Sequence, residues 1–251
     1  MAPVSVVVIT KDEAANIGEA LETVSWADEI LVVDAESTDE TVAIARRHAT
    51  RVLVRPWSGY SEQKNFAAGL ARHDWILSVD ADERVTPALA DDIRRALAAR
   101  PEERGFEVPR VTFHLGRWIR STDWYPDYQL RLYDRRSARW NDRPVHESVA
   151  VDGRVGRLRG ELQHFAYRDL SHHLQTIDRY TTLAAAHMDE RGQRAGFADL
   201  LLHPPLAFLR NYVLRMGLRD GLPGLMVSLL NSYYVMLKFA KLWERQHRPR
   251  G

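Results

Sequence analysis

Cysteine is absent from this 251-residue chain, which excludes a disulfide framework, a thiolate nucleophile, Cys-ligated zinc and Cys-ligated iron–sulfur clusters. Long apolar runs are missing as well. The longest stretch without a charge, 221–237, contains Ser228, Asn231, Ser232, two tyrosines, two glycines and a proline, whereas crossing a bilayer takes about 20 strongly apolar residues. No transmembrane helix is expected. The opening Met1-Ala2-Pro3-Val4 lacks the basic start and apolar stretch of a signal peptide, so the expectation is a cytoplasmic protein. An overall charge bias is also lacking, with 35 Lys/Arg against 34 Asp/Glu. The two signs are unevenly placed: residues 1–202 sum to −5 and residues 203–251 to +6. With 45% apolar and 27% charged residues, the composition excludes disordered and low-complexity classes.

The first hundred residues alternate strand and helix patterns. VSVVVIT (4–10) is a β-branched run of the kind buried on both faces of a parallel sheet. A helix is predicted from near Asn16, with Ile17, Ala20, Leu21 and Val24 at helical spacing. Further strands are predicted at 29–33, ending in Asp34, at 52–54 and at 75–79. Helices are predicted from the Ser37 to Glu40 region through His48, over Gln63 to Ala71 and over Pro87 to Ala99. This is an α/β chain with a doubly wound parallel sheet, in which ligands sit beyond the carboxyl ends of the strands. Thr10 to Glu13, Asp34 to Asp39 and Asp80 to Glu83 all fall there. Residues 105–165 read as short, partly antiparallel strands rich in Arg, Trp and Tyr, and from Leu170 the chain turns helical, with Pro204-Pro205 predicted to break it.

Asp80-Ala81-Asp82 directly follows the strand WILSV. Two carboxylates around one small residue at a strand end suit Mg²⁺ or Mn²⁺, which take oxygen ligands and leave room for substrate phosphates. Together with this motif, VSVVVITKDEAANI (4–17), LVVDAESTDET (31–41), GYSEQKNFA (59–67), DWILSVDADERVTPAL (74–89), YQLRLYDRR (128–136) and PVHES (144–148) resemble a family 2 glycosyltransferase of the GT-A fold. Within that family the chain is most similar to the bacterial lipopolysaccharide-core β-glucosyltransferase-like group.

The resemblance implies transfer of a sugar from a nucleoside diphosphate sugar, best guessed as UDP-linked, with inversion and a divalent cation (Mn or Mg). Carried over by position, Thr10 and Glu13 would line the nucleotide pocket, and Asp34 and Glu36 would lie near base or ribose. Lys64 would lie near the diphosphate, and Asp80 and Asp82 would hold ribose and metal. Relatives often place a second Asp after the position of Asp34; here it is Ala35, which weakens the assignment of the base. The implied organisation is a glycosyltransferase domain over 1–165, with a nucleotide-sugar half (1–104) and an acceptor half (105–165), followed by a helical extension over 166–251.

Inverting transfer needs a general base for the acceptor hydroxyl. With Asp82 assigned to metal, Glu147 is the choice and Asp127 the alternative, and His146 is a candidate metal ligand. The arginines and aromatics of 117–143 suit a phosphorylated glycolipid or lipopolysaccharide-core acceptor. Nucleic acid is rejected, because the body is acidic and carries no nucleic-acid module. The apolar stripe Leu222 to Leu237 followed by Lys238, Lys241 and Arg245, and the upstream repeat Phe208, Leu209, Tyr212, Val213 and Met216 beside Arg210, Arg215 and Arg219, lead to the expectation that 203–251 contacts an anionic inner membrane surface or a second subunit of a homodimer. The enzyme would then be peripheral on the cytoplasmic side. A sugar-nucleotide transferase would carry a Gly-rich basic loop in place of TKDEAANI, and a catalytically silent binding or scaffold protein would not need the acidic set.

Overall fold

The computed structural model describes residues 2–141 and 148–247. β1 (Val4–Thr10) is buried at every position and pairs in parallel with β2 (Glu29–Asp34). β2 pairs in turn with β3 (Arg51–Val54), and β4 (Trp75–Asp80) flanks β1 on its other side. Side chains alternate across a strand, so β1 feeds two cores. Val4, Val6 and Val8 pack with Ile17, Leu21, Leu89 and Ile93, while Val7 and Ile9 pack with Ala67, Ala68 and Tyr133. The covering helices are α1 (Ile17–Glu22), α2 (Thr41–His48), α3 (Tyr60–Leu70) and α4 (Pro87–Ala98). α4 starts as its sequence dictates: Thr86 Oγ1 accepts from Leu89 N–H and Pro87 fills the first turn.

After β5 (Glu83–Val85), β6 (Gly105–His114) and β7 (Arg117–Ile119), the chain returns antiparallel to β4 as β8 (Asp127–Asp134). β9 (Ala138–Trp140) and β10 (Val149–Val151) form a separate hairpin pair. β11 (Val155–Arg157) runs parallel to β6, and β12 (Leu162–His164) runs antiparallel to β5. The main sheet has the order β3-β2-β1-β4-β8-β6-β12-β5. The chain divides into two compact units, one of residues 1–110 and 127–164, the other of 111–126 and 165–251. Segment 111–126 thus clusters with the helices, a grouping that differs from the continuous acceptor half expected from sequence.

In the second unit, α5 (Leu170–Glu190) and α7 (Gly221–His247) meet around Ala185, Ala195 and Leu242, and α6 (Phe197–Leu209) packs on α7. Gly224 lets α7 meet the 217–220 turn, since a Cβ there would lie 2.0 Å from the Gly217 carbonyl oxygen. The expected break at Pro204-Pro205 is corrected: both lie inside α6, and the chain breaks at 191–196, where Gly192 has φ 69°. The prolines deprive the Leu200 and Leu201 carbonyls of helical donors, and Leu201 is exposed.

Candidate active site

The loops after β1 and β2 are laced together by short polar side chains. Asp12, at φ 52°, donates its N–H to Ser37 Oγ (2.8 Å) and accepts from Thr38 N–H (2.8 Å). Glu13 N–H donates to Thr41 Oγ1 (2.8 Å), and Asp39 accepts from Ala14 N–H (3.1 Å). Asp34 is fully buried and its carboxylate accepts from both the N–H and the hydroxyl of Ser37; it shapes this loop from within. Glu36 is exposed with φ 57°. Thr10 pairs in register with Asp34, and its buried Oγ1 has no hydrogen-bond partner among the described residues. Glu13 accepts from Asn16 Nδ2 at 2.8 Å.

One strand over, Ile9 is paired with Asp80, and there a charge network replaces the loop lattice. Lys64 Nζ lies 2.9 Å from Asp80 Oδ1 and 4.3 Å from the centre of the Trp140 ring. α3 is fixed to β9 by reciprocal bonds between the Asn65 amide and the Trp140 backbone. Arg131, 4% exposed, bridges Asp80 Oδ2 (2.7 Å) and the fully buried Glu83 Oε1 (2.6 Å). Arg110 reaches Glu83 (3.2 Å) and Asp127 (2.7 Å), and Asp127 also accepts from Gln129 Nε2 (2.7 Å). Burial pushes the Asp80 carboxyl up, but Arg131 and Lys64 more than offset this and hold it well below the usual carboxylate range.

Asp82 differs from its neighbour. Its carboxylate, 28% exposed, has His164 Nε2 at 3.3 Å. Burial raises its pKa and the His164 hydrogen bond lowers it, with a net shift downward. His164 arrives through the pairing of β12 with β5, where it stands opposite Glu83.

The structure therefore brings together Lys64, Asp80 and Asp82 of the sequence-expected set. It places Thr10, Glu13, Asp34 and Glu36 in the strand-end loops. Lys64, expected near a diphosphate, spends its ammonium on Asp80. His146 and Glu147 lie outside the described residues. Sequence reasoning missed His164, Arg131 as the partner of Asp80, and Arg110. His164 sits in no motif, but an arginine inside the apolar strand LRLY was a legible sign of a buried ion pair. No group of three His, Asp or Glu poised for a metal occurs among the described residues; at the end of β4 the carboxylate–imidazole pair is Asp82 with His164.

The family model of glycosyl transferase family 2 matches residues 5–149. The lipopolysaccharide core biosynthesis glycosyltransferase LpsC of Rhizobium meliloti is 34% identical, over 97% of this chain and 93% of that protein. An uncharacterized glycosyltransferase of Rickettsia felis is 29% identical, over 97% and 90%. Among solved structures, the mannosyltransferase PcManGT of Pyrobaculum calidifontis, in complex with GDP-Man and Mn²⁺, aligns with a TM-score of 0.56 over 97% of this chain and 88% of that one, at 17% identity. This likeness supports the fold. The parallel β3-β2-β1-β4 core, the acidic end of β4 and the family match together establish that the chain belongs to glycosyl transferase family 2 and is a glycosyltransferase of the GT-A fold.

Proposed function

We propose that the protein transfers a hexose, with inversion, from a nucleoside diphosphate sugar to a glycolipid acceptor of the lipopolysaccharide-core type. UDP is the proposed carrier. The observation that carries this reading is the contrast between two carboxylates two residues apart. Asp80 is neutralised by Lys64 and Arg131, while Asp82 presents its charge beside an imidazole. A carboxylate and an imidazole form a donor set that fits Mn²⁺ or Mg²⁺ with positions left for phosphate oxygens. Asp82 and His164 would hold the ion, which when bound offsets the charge on the departing diphosphate. The name of LpsC and the GDP-Man and Mn²⁺ bound to PcManGT support the acceptor class, a nucleotide-sugar donor and a divalent ion.

The chain's own residues do the rest of the work. The lattice of Asp12, Asp34, Ser37 and Thr41 fixes the loops where Thr10 and Glu13 meet the nucleotide, with Glu36 at their rim. Arg131 and Lys64 keep Asp80 ionised and in place, where it accepts from the ribose. We assign the base to Glu147. Arg110 and Gln129 hold both oxygens of Asp127, which supports that choice over the alternative. In this reading 1–104 binds the donor and 105–165 serves the acceptor, and a lipid-linked acceptor puts the enzyme on the inner face of the cytoplasmic membrane.

The test is a panel of labelled nucleotide sugars assayed for binding and hydrolysis with and without Mn²⁺. Asp82→Ala should lose metal-dependent donor binding and turnover together. Full activity of that variant, or of the parent in excess chelator, would remove the ion from the reaction.

A further inference from the structure

The helical unit carries an apolar face that its own fold leaves uncovered. On α6, Leu200, Pro204, Ala207 and Phe208, continued by Asn211, share one side at helical spacing and are the covered positions. The Pro204 carbonyl accepts from Ser232 Oγ of α7 at 2.7 Å. The opposite side should be polar if it faced water. Instead it presents Leu201, Leu202, Leu206 and Leu209, continued by Val213 and Leu214, all exposed, Leu206 by 59% and Leu214 by 76%. Phe197 at 78% and Leu222 at 67% stand at the two ends of this stretch. Single exposed leucines are ordinary; a contiguous row of them marks an interaction surface. A helix that is apolar all round belongs in a core or in lipid.

Charge decides between the occupants. Segment 191–222 carries five arginines, Arg191, Arg194, Arg210, Arg215 and Arg219, all exposed, against Asp199 and Asp220. Asp220 is buried and bound by Arg117 Nε (3.1 Å) and Ser121 Oγ (2.6 Å). Asp199 caps α6 and pairs with His203. Arg210 and Arg215 share the single carboxylate of Asp123, which leaves excess positive charge on the segment. A second copy would bring like charges together around the apolar row, whereas an anionic bilayer complements both features. α6 has 13 residues, about 20 Å of helix, too short for a hydrocarbon core of about 30 Å. No described helix is long and apolar enough to cross a membrane. The geometry is that of a helix lying in the interface.

The structure also narrows the expected site, which spanned 203–251. Of the basic residues that the sequence reading assigned to the membrane, Lys241 is tied to the Asp178 carboxylate (2.7 Å), Thr181 and Thr182, and Arg245 pairs with Asp189. Both join α7 to α5.

We propose that residues 197–222, centred on the outer row of α6, dock the protein on an anionic phospholipid bilayer. This deepens the glycolipid reading and rests on it, since a water-soluble acceptor would call for no such face.

The test is co-sedimentation of the full chain with phosphatidylcholine vesicles and with vesicles containing phosphatidylglycerol, at low and high salt. The variants are Leu206→Asp/Leu209→Asp, Arg194→Glu/Arg219→Glu and, as a control on α5, the exposed Leu183→Asp. Circular dichroism and donor binding are measured on each. The parent should bind the anionic vesicles, more weakly in salt. Leu206→Asp/Leu209→Asp should lose at least about tenfold in partitioning, as expected for withdrawing two leucines from apolar surroundings. The arginine pair should lose its preference for anionic lipid, and the control should match the parent. No vesicle binding by the parent, or equal binding by Leu206→Asp/Leu209→Asp, overturns the proposal. So does a dimer in sedimentation velocity that the same double variant dissociates, because the face would then belong to a second copy. Failure of the parent to bind any nucleotide sugar would sink the enzymatic reading while leaving the vesicle result standing.

Discussion

Replacing Arg131 by Met is the sharpest probe of the network at the end of β4. The guanidinium is 4% exposed and lies 2.7 Å from Asp80 and 2.6 Å from Glu83. Met fills most of the volume but leaves two carboxylates short of a cation. Breaking a buried pair from one side costs about 3–5 kcal/mol. Here the lower end applies, because Asp80 keeps Lys64 at 2.9 Å and Glu83 keeps Arg110 at 3.2 Å. A loss of about 3 kcal/mol lowers Tm by roughly 6–12 °C in a chain of this size, at about 2–4 °C per kcal/mol. Urea and thermal unfolding measure it, and a double-mutant cycle with Asp80→Asn isolates the pair. The cycle should return a coupling above about 1 kcal/mol, as contacting groups do. If Arg131→Met unfolded within 2 °C of the parent (about the ordinary scatter of neutral surface changes), or if the two substitutions were additive, the buried bridge would not be what holds Asp80.

Three further outcomes follow from the same geometry. His164→Ala should weaken Mn²⁺ binding in the presence of nucleoside diphosphate, read by calorimetry, while leaving the folded state intact; unchanged Mn²⁺ affinity would return the ligand role to other residues such as His146. Glu147→Gln should bind donor normally yet lose on the order of 10²-fold or more in rate, whereas a larger loss in Asp127→Asn at unchanged donor affinity would move the base to Asp127. In the helical unit, His173 stacks on Tyr167 (4.0 Å between ring centres) and bonds His114 at 3.1 Å; burial, with His114 and His172 nearby, pushes its pKa down to about 4. Between about pH 6.5 and 4 the unfolded chain binds a proton at this site that the folded chain refuses, so stability falls as pH drops through that window, by up to about 3 kcal/mol. His173→Phe should flatten the dependence of the urea midpoint on pH from 7 to 4.5, and an unchanged slope would refute the assignment.

The parallel half of the fold was legible because strands buried on both faces must be continuous apolar runs. VSVVVIT, EILVVD and WILSVD admit few other readings, and the carboxyl-edge rule then located Asp80 and Asp82. β5, β11 and β12 were illegible for the opposite reason. Each has three residues, too few to show a period, and each owes its existence to a partner distant in sequence. His164 was lost with them, since only the β12–β5 pairing brings it to Asp82. Pro204-Pro205 misled because a proline pair ordinarily ends a helix; here the packing of the covered face of α6 on α7 outweighs two missing donors.

The same network gives two aspartates in one short motif different surroundings, and in the proposed reaction they would take different tasks. Among the described residues, Lys64, Arg110 and Arg131 face Asp80, Glu83 and Asp127 and match them charge for charge. That balance leaves Asp82 as the one carboxylate of the cluster whose close partner is an imidazole rather than an ammonium or a guanidinium. Among the described residues no lysine or arginine ion pair thereby neutralises Asp82. A diphosphate brought to such a spot would be repelled unless a cation came with it, so donor and ion should bind with positive coupling. Neutralising Asp80 with Asn would shift this balance toward the cations Lys64 and Arg131 and weaken the need for the proposed ion, whereas neutralising Asp82 would remove a carboxylate proposed to hold it. Mn²⁺ titrations of donor binding in Asp80→Asn and Asp82→Asn should separate the two: reduced coupling with measurable donor binding in the first, no coupling in the second. Identical titrations would mean that the two carboxylates act as one ligand pair and that the charge balance read from Lys64, Arg110 and Arg131 does not divide their roles.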